Sequence, residues 1–269
     1  MKCRYGFIGG GNMATAIIGG ILRHEVCPAS EVVASDVSEE RRGALAKQFG
    51  VLTTAGNPEV IEKAECVVLA VKPQILSQVA PEIGPVLRPE QTVISILAGV
   101  TVDVLRGRLN GHPRIVRAMP NLPATIGKGV AGIAETPLTP DDAYAEAEKL
   151  LGTVGGTVRV AEELIDAVTA VSGSGPGYIF RIAEILIQAG VAVGLGEEQS
   201  RLLVERTLQG AADLLVASDA GAGELCRRVC SPGGTTLAGL DAMMKAGLEQ
   251  AIKDGVRAAR DRSRELSKG

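Results

Sequence analysis

The sequence predicts an α/β N-terminal half built on a doubly wound parallel sheet, followed by an all-α C-terminal half. Three observations point there. Up to about residue 160, short β-branched runs alternate with amphipathic helical patterns, as βαβ units require. From about residue 162 the strand signals stop and one helical periodicity follows another. Residues 4–14, Arg-Tyr-Gly-Phe-Ile-Gly-Gly-Gly-Asn-Met-Ala, read as a strand, a tight turn and the start of a helix. The expected domains are 1–161 and 162–269.

The expected strands after the first are Glu31–Ser35, Cys66–Val71, Thr92–Ile96, Arg114–Met119, Val130–Ala134 and Thr157–Val160. The Cys66 and Thr92 runs are almost wholly apolar, the pattern of strands covered on both faces. Helical stretches are expected at 38–49, 57–64, 74–86 and 101–109 between them.

The glycine turn carries chemical information. In Gly9-x-Gly11-x-x-Ala14, Gly9 permits a tight turn and Gly11 has no Cβ to obstruct a pyrophosphate. Ala14 is small enough for strand and helix to pack closely. The helix that begins there, with Met13, Ala14, Ile17, Ile18 and Ile21 on its apolar face, offers free N–H groups and partial positive charge to phosphates. Dinucleotide binding is the expectation.

In the second half, Tyr178–Leu195 is the longest apolar segment. Its strongly polar members, Arg181, Glu184 and Gln188, form one narrow stripe. Those three groups and a polar start argue against a membrane span. A helix apolar around most of its circumference has to be covered on several sides, and a second subunit is the expected cover. Further helices are expected at 197–217, 222–229, 235–246 and 247–265, with Arg262–Gly269 charged and frayed.

The net charge of −3, with acids and bases interspersed, leaves no nucleic-acid footprint. Absent tryptophan and only three Tyr and three Phe leave few stacking platforms. Met1 runs almost directly into the first strand, so no signal peptide is expected. The five scattered cysteines, Cys3, Cys27, Cys66, Cys226 and Cys230, read as reduced thiols in a cytoplasm. Cys226 and Cys230 lie one helical turn apart, but neither His nor a further Cys is near in sequence to complete a metal site, so no metal is expected. His24, ending the first helix, and His112, in a Gly/Pro-flanked loop, are expected at the surface.

Four segments could carry chemistry. Ala70-Val71-Lys72-Pro73-Gln74 lies past a strand's carboxyl end, where a doubly wound sheet binds ligands. Lys72 could offer its charge to a cofactor there. Ala118-Met-Pro-Asn121-Leu-Pro123 fixes its backbone with two prolines and presents an amide that both donates and accepts. Ser172-Gly-Ser-Gly-Pro176-Gly177 joins the halves as either a flexible linker or a shaped helix start. Ser231-Pro-Gly-Gly234-Thr235-Thr236, placed directly before a helix, combines glycines, hydroxyls and a helix N-terminus into a carboxylate receptor.

What these segments lack also informs. Reducing a ketone needs a proton donor, usually His or Lys, at the carbonyl oxygen. Neither histidine lies in these loops and the long apolar helix has no Lys. A protonated imine needs only hydride delivery and orientation, so the pattern leans toward C=N reduction.

With these motifs together, the chain resembles the pyrroline-5-carboxylate reductase family. The matching segments are Ile8-Gly-Gly-Gly-Asn12-Met13-Ala14, Ala70–Gln74, Ala118-Met-Pro-Asn121, Ser172–Pro176 and Val229-Cys-Ser-Pro-Gly-Gly-Thr-Thr236. They run in the family's order and spacing over nearly the whole length. Departures are Leu122 where Thr is common, Gly177 where Ala is frequent, and Ala220-Gly221-Ala222 in place of a His-Pro loop.

The resemblance implies a Rossmann-like N-terminal domain and an all-helical C-terminal dimerisation domain, forming a homodimer that in many members builds a decamer of five dimers. It implies hydride transfer from NADPH or NADH to the C=N carbon of L-Δ1-pyrroline-5-carboxylate, giving L-proline. Thr236 matches the threonine that meets the ring nitrogen, while Ser231, Gly234 and Thr235, with Ser172, match the substrate site. Gly9, Gly11, Asn12, Met13, Ala70, Val71, Lys72, Pro73 and Asn121 fall in the cofactor motifs, and Asn57 matches an asparagine near the adenosine. Asp36 would bond a ribose 2′-OH and repel a 2′-phosphate, whereas Ser35 matches a phosphate-contacting serine and Arg41 and Arg42 follow. Either cofactor fits this reading. A hydroxyacid-type dehydrogenase would want a Lys on the long helix, and a non-catalytic NAD(P) sensor would leave the Ser231–Thr236 loop without a purpose.

Overall fold

An eight-stranded sheet in the order β3-β2-β1-β4-β5-β6-β7-β8 organises the first part of the chain. In this computed structural model, which describes residues 2–267, β1 (Cys3–Ile8) leads through a glycine turn into α1 (Asn12–Arg23). There follow β2 (Val32–Ser35), α2 (Glu39–Phe49), β3 (Leu52–Thr54), α3 (Asn57–Lys63) and β4 (Ala64–Leu69). Then come α4 (Leu76–Ile83), β5 (Thr92–Ser95), α5 (Val102–Arg108) and β6 (Ile115–Met119). β7 (Gly129–Glu135), α6 (Asp141–Leu151) and β8 (Gly155–Ala161) complete the sheet.

Alternate residues of the central strands feed two separate cores. Tyr5, Phe7, Cys66, Val68, Ile94 and Val116 pack on the side of α1 and α6. Ile8, Val67, Leu69, Val93 and Ile115 pack on the side of α3, α4 and α5. Helices on both faces explain the unbroken apolar runs.

The sheet is not wholly parallel as the alternation suggested. β6 and β7 pair antiparallel, with Ala118 opposite Ile133, while β7 and β8 are parallel. The cause is the connection: only a short turn at Leu122–Ile126 separates β6 from β7, too little chain for a helical crossover, so the strand must run back. α6, long enough for a crossover, restores the parallel sense.

Two elements of the sheet region have no counterpart among the expected ones. β3 is a three-residue edge strand. α6 buries Ala143, Tyr144, Ala147, Leu150 and Leu151, a face largely of alanines that gives little hydrophobic contrast.

Beyond the sheet lie α7 (Ile165–Val168), a π-helical turn at Thr169–Gly173, α8 (Gly175–Ala192), α9 (Glu197–Ala217), α10 (Ala222–Val229), α11 (Thr235–Lys245) and α12 (Leu248–Leu266). Ser172 and Gly173 therefore lie in the π-helical turn and Gly175–Gly177 open α8, with Ser174 between them. The compact units divide at Ser174/Gly175. The segment from Ala259 onward belongs with the first unit, and Gly175–Ala258 forms the second.

Two expectations are corrected. His112 is buried at 5% exposure, its Nε2 facing the Gln91 carbonyl at 2.8 Å, because that pairing satisfies the ring once it is out of water. Residues 262–266 do not fray. Ser263 is buried and donates to Asp166 Oδ1 at 2.7 Å, and Arg264 lies 3.9 Å from the same carboxylate. Lys268 and Gly269 lie outside the described residues. His24 is exposed, as expected. Among the described residues, no helix is long and apolar enough to cross a membrane.

α8 buries none of its residues within this chain: Ile179 is 49%, Phe180 60% and Ile185 50% exposed. α12 by contrast has an Asp166 anchor. An apolar helix left this open calls for a cover from outside the chain.

Candidate active site

The glycine turn is shaped by backbone requirements. Gly9 adopts φ +99°, a left-handed region that side chains resist, and a Cβ there would stand 2.8 Å from the Ala70 carbonyl oxygen. Its N–H donates to the Ser35 carbonyl at 2.8 Å, and the Ala70 N–H donates to the Ile8 carbonyl at 2.9 Å. The ends of β1, β2 and β4 are thereby drawn together, so Gly9, Ser35 and Ala70 share one edge.

Gly11 differs. It has ordinary φ −74° as the N-cap of α1, and a Cβ built on it meets nothing within 4 Å. The helix has no side-chain cap and no acid in its first turn. An open space directly before uncapped N–H groups is what a pyrophosphate requires, so the residues fit the dinucleotide that their sequence implies. Asn12 is exposed at that helix start and Met13 is half-buried against the core.

Asp36 and Ser35 sit at the end of β2 with different surroundings. The Asp36 carboxylate accepts the Gly10 N–H on Oδ2 and the Ser38 N–H on Oδ1, each at 2.9 Å, with Arg41 at 3.6 Å. Arg42 donates to the Asp36 and Val37 carbonyls at 2.7 and 3.1 Å. Ser35, 1% exposed, donates to Asn57 Oδ1 at 2.7 Å, and Asn57 Nδ2 donates to Glu82 Oε2 at 2.7 Å. Glu82 was not foreseen, since it lies on α4 in no recognisable motif. Only the fold brings it to Asn57.

Val71 and Pro73 are half-buried and Lys72 is exposed at the start of a short 3-10 turn, Pro73–Ile75. Asn121 plays an internal role: its Nδ2 donates to the Ser172 carbonyl at 3.1 Å, and its Oδ1 accepts the Val130 N–H at 2.9 Å. Ser172 in turn donates to the Val168 carbonyl at 2.9 Å. Asn121 thus ties the turn after β6 to both β7 and the π-helical turn.

In the second unit, Gly233 at φ +70° and Gly234 as N-cap lead from α10 into α11. The Gly234 N–H donates to the Ser231 carbonyl at 2.9 Å, and a Cβ on Gly234 would crowd Ser231 Oγ. A side chain at Gly234 would displace the Ser231 hydroxyl from this helix end. α11 has neither a side-chain cap nor a first-turn acid. The hydroxyls of Ser231, Thr235 and Thr236 have no hydrogen-bond partner among the described residues. Donors gathered at a positive helix end make a receptor for a carboxylate.

Comparison with known proteins agrees with this geometry. Residues 162–266 match the family model for pyrroline-5-carboxylate reductase dimerisation, and residues 4–99 match one described as NADP oxidoreductase, coenzyme F420-dependent. Pyrroline-5-carboxylate reductase of Pseudomonas aeruginosa is 40% identical over 266 residues, covering 98% of this chain and 97% of that protein. The Synechocystis protein of the same name is 39% identical over 100% of both chains. A solved pyrroline-5-carboxylate reductase from Coxiella burnetii superposes with a TM-score of 0.93 at 34% identity over 100% of both chains. The chain, through both its sheet and its helical part, belongs to the pyrroline-5-carboxylate reductase family.

Proposed function

We propose that this chain reduces L-Δ1-pyrroline-5-carboxylate to L-proline, with Thr236 as the group that meets the ring nitrogen. The carrying observation is the Ser231–Thr236 turn: an uncapped helix N-terminus with three unengaged hydroxyls, in a chain 39% identical to a reductase of that substrate over its full length. NAD(P)H, when bound, supplies the hydride. Gly9, Gly11, Asn12 and Met13 would hold its pyrophosphate, Ser35, Asp36 and Asn57 its adenosine half, and Ala70–Pro73 with Asn121 would border it.

Ser231, Gly234 and Thr235 would hold the carboxylate through N–H and hydroxyl donors, with Ser172 bordering the ring. Thr236 is half-buried, and its neutral hydroxyl can accept from an iminium N–H or donate to the amine that replaces it. The ring nitrogen needs no proton beyond the one it already carries, so a site without His suffices. The finer assignments follow the same reading: 162–269 acts as the dimerisation and substrate-binding domain, and five dimers assemble into a decamer. The unpaired cysteines support a cytoplasmic location. The test is NAD(P)H oxidation with pyrroline-5-carboxylate, with 2-oxo acids and without substrate. Turnover only with the first is expected, and turnover with 2-oxo acids would replace this reading by a hydroxyacid dehydrogenase.

A further inference from the structure

Two cysteines stand immediately before the carboxylate turn and take no part in it. Cys226, exposed, and Cys230, half-buried, are one turn apart at the end of α10. The other three, Cys3, Cys27 and Cys66, are buried. Cys230 is the last residue held by the helix, through its N–H to the Arg227 carbonyl at 3.1 Å, but its own backbone is already extended at φ −91°, ψ 96°. One helical turn apart, the two side chains lie on the same side of α10. Burial first, and then the neighbouring Cys226 sulfur with its hydrogen bond, push the Cys230 thiol up, so Cys230 keeps its proton while Cys226 meets solvent.

The structure assigns Cys226 and Cys230 as an oxidisable thiol pair, which a hydroperoxide closes into a reversible disulfide that displaces Ser231 and weakens carboxylate binding. In the first step the Cys226 sulfur, its proton lost to solvent, attacks the peroxide. An S–O bond forms, the O–O bond breaks, and the departing oxygen takes a proton to leave as water or alcohol. The Cys230 sulfur then attacks the Cys226 sulfenic acid. An S–S bond forms and hydroxide leaves with the Cys230 proton as water. Two thiols are oxidised, one peroxide is reduced, and the atoms balance.

Closing the bond requires the backbone to shift. Cβ atoms four apart on a helix are about 5–6 Å apart, whereas a disulfide needs roughly 3.5–4.5 Å. The non-helical Cys230 is the part free to move. Ser231 is bonded to it directly, and the Ser231 carbonyl braces the Gly234 N–H. Drawing Cys230 toward Cys226 therefore pulls that brace out of place. A strained link of this kind is easily reduced, which makes the change reversible.

The effect on binding rests on the activity proposed above, but the bond itself does not. The oligomeric protein is treated with hydrogen peroxide, free thiols are alkylated, and the product is digested with trypsin. Arg227 and Arg228 lie between the cysteines, so reduced protein yields separate peptides 207–227 and 229–245, while oxidised protein holds them linked. The linked peptide is expected, together with a severalfold rise in KM for pyrroline-5-carboxylate, unchanged NADPH affinity, and recovery with dithiothreitol. Cys226→Ser and Cys230→Ser should each give no linked peptide and a KM that peroxide does not alter. Absence of the linked peptide, an unmoved KM once it has formed, or serine variants whose KM responds to peroxide as the parent's does would overturn the inference. A linked peptide in a protein that never turns over pyrroline-5-carboxylate would instead refute the proposed substrate and leave the thiol site standing.

Discussion

Asp36 holds Gly10: the carboxylate at the end of β2 accepts the amide of the glycine turn at 2.9 Å. The residue that would face a ribose therefore also shapes the loop that would face the phosphates. Asp36→Ala should raise the ratio of kcat/KM with NADPH to that with NADH, because a charge repelling a 2′-phosphate is gone. It should also lower stability by about 1.5–3 kcal/mol, the ordinary worth of a hydrogen bond to a charged group. Steady-state kinetics with both cofactors checks the first effect and urea unfolding the second. An unchanged ratio would hand cofactor choice to Ser35 or to Arg41 and Arg42.

Gly11 separates fold from binding. Since a Cβ there meets nothing within 4 Å and its φ is ordinary, Gly11→Val should fold with a melting temperature within a few degrees of the parent. The valine fills the space before the α1 N–H groups, so NADPH and NADH titrations should show no binding. Parental affinity in a folded variant would move the phosphate site elsewhere.

Ile185 tests the open helix. It is 50% exposed in the single chain, so Ile185→Glu costs a lone subunit little. Between subunits it would place an unpaired charge in an apolar contact, at several kcal/mol. The variant is expected to run as a monomer in light scattering and to lose activity. A stable dimer would mean that α8 is covered in some other way.

Thr236 carries the sharpest expectation. Thr236→Ala should lower kcat about ten- to a thousand-fold, the equivalent of about 1.5–4 kcal/mol for one well-placed hydrogen bond. NADPH affinity should stay put, and Thr236→Ser should retain much of the activity. Parental turnover by Thr236→Ala would reduce this turn to a binding or capping element.

His112 gives the fold a pH dependence. Burial, and next the nearby Arg114 and Arg106, hold its pKa below the usual 6.5, against the opposing Gln91 carbonyl and Glu90. The unfolded chain takes up the proton first, so the stability from the neutral ring is complete above pH 6.5 and is lost as pH falls through the folded value. The melting temperature of the parent should fall more steeply below about pH 6.5 than that of His112→Gln. Parallel curves would mean that folding leaves the proton affinity of the ring unchanged.

Strand-to-helix alternation and the glycine turn made the central sheet readable, because burial on both faces leaves nearly continuous apolar runs. β3 was not, since three residues with an exposed Leu52 show no period. α6 was hidden by the alanines on its buried face. The reversal at β7 depends on a short connection, and the burial of His112 on the Gln91 carbonyl; neither is a local pattern. For the site, the motifs marked the loops, but only the folded chain shows that Asn121 bridges Val130 and Ser172, or that Asn57 reaches Glu82.

The anchoring of Ser263 by Asp166 has a consequence for biosynthesis. The two residues are 97 positions apart, and at roughly 5–20 residues per second the ribosome needs about 5–20 s to cover that span. Every strand of the sheet has been translated before the wait begins, yet the carboxylate that secures α12 stays without its partner until Ser263 has been made. Termination before Ser263 would release a chain that holds every strand of the sheet but lacks this latch, a species for quality-control proteases to find.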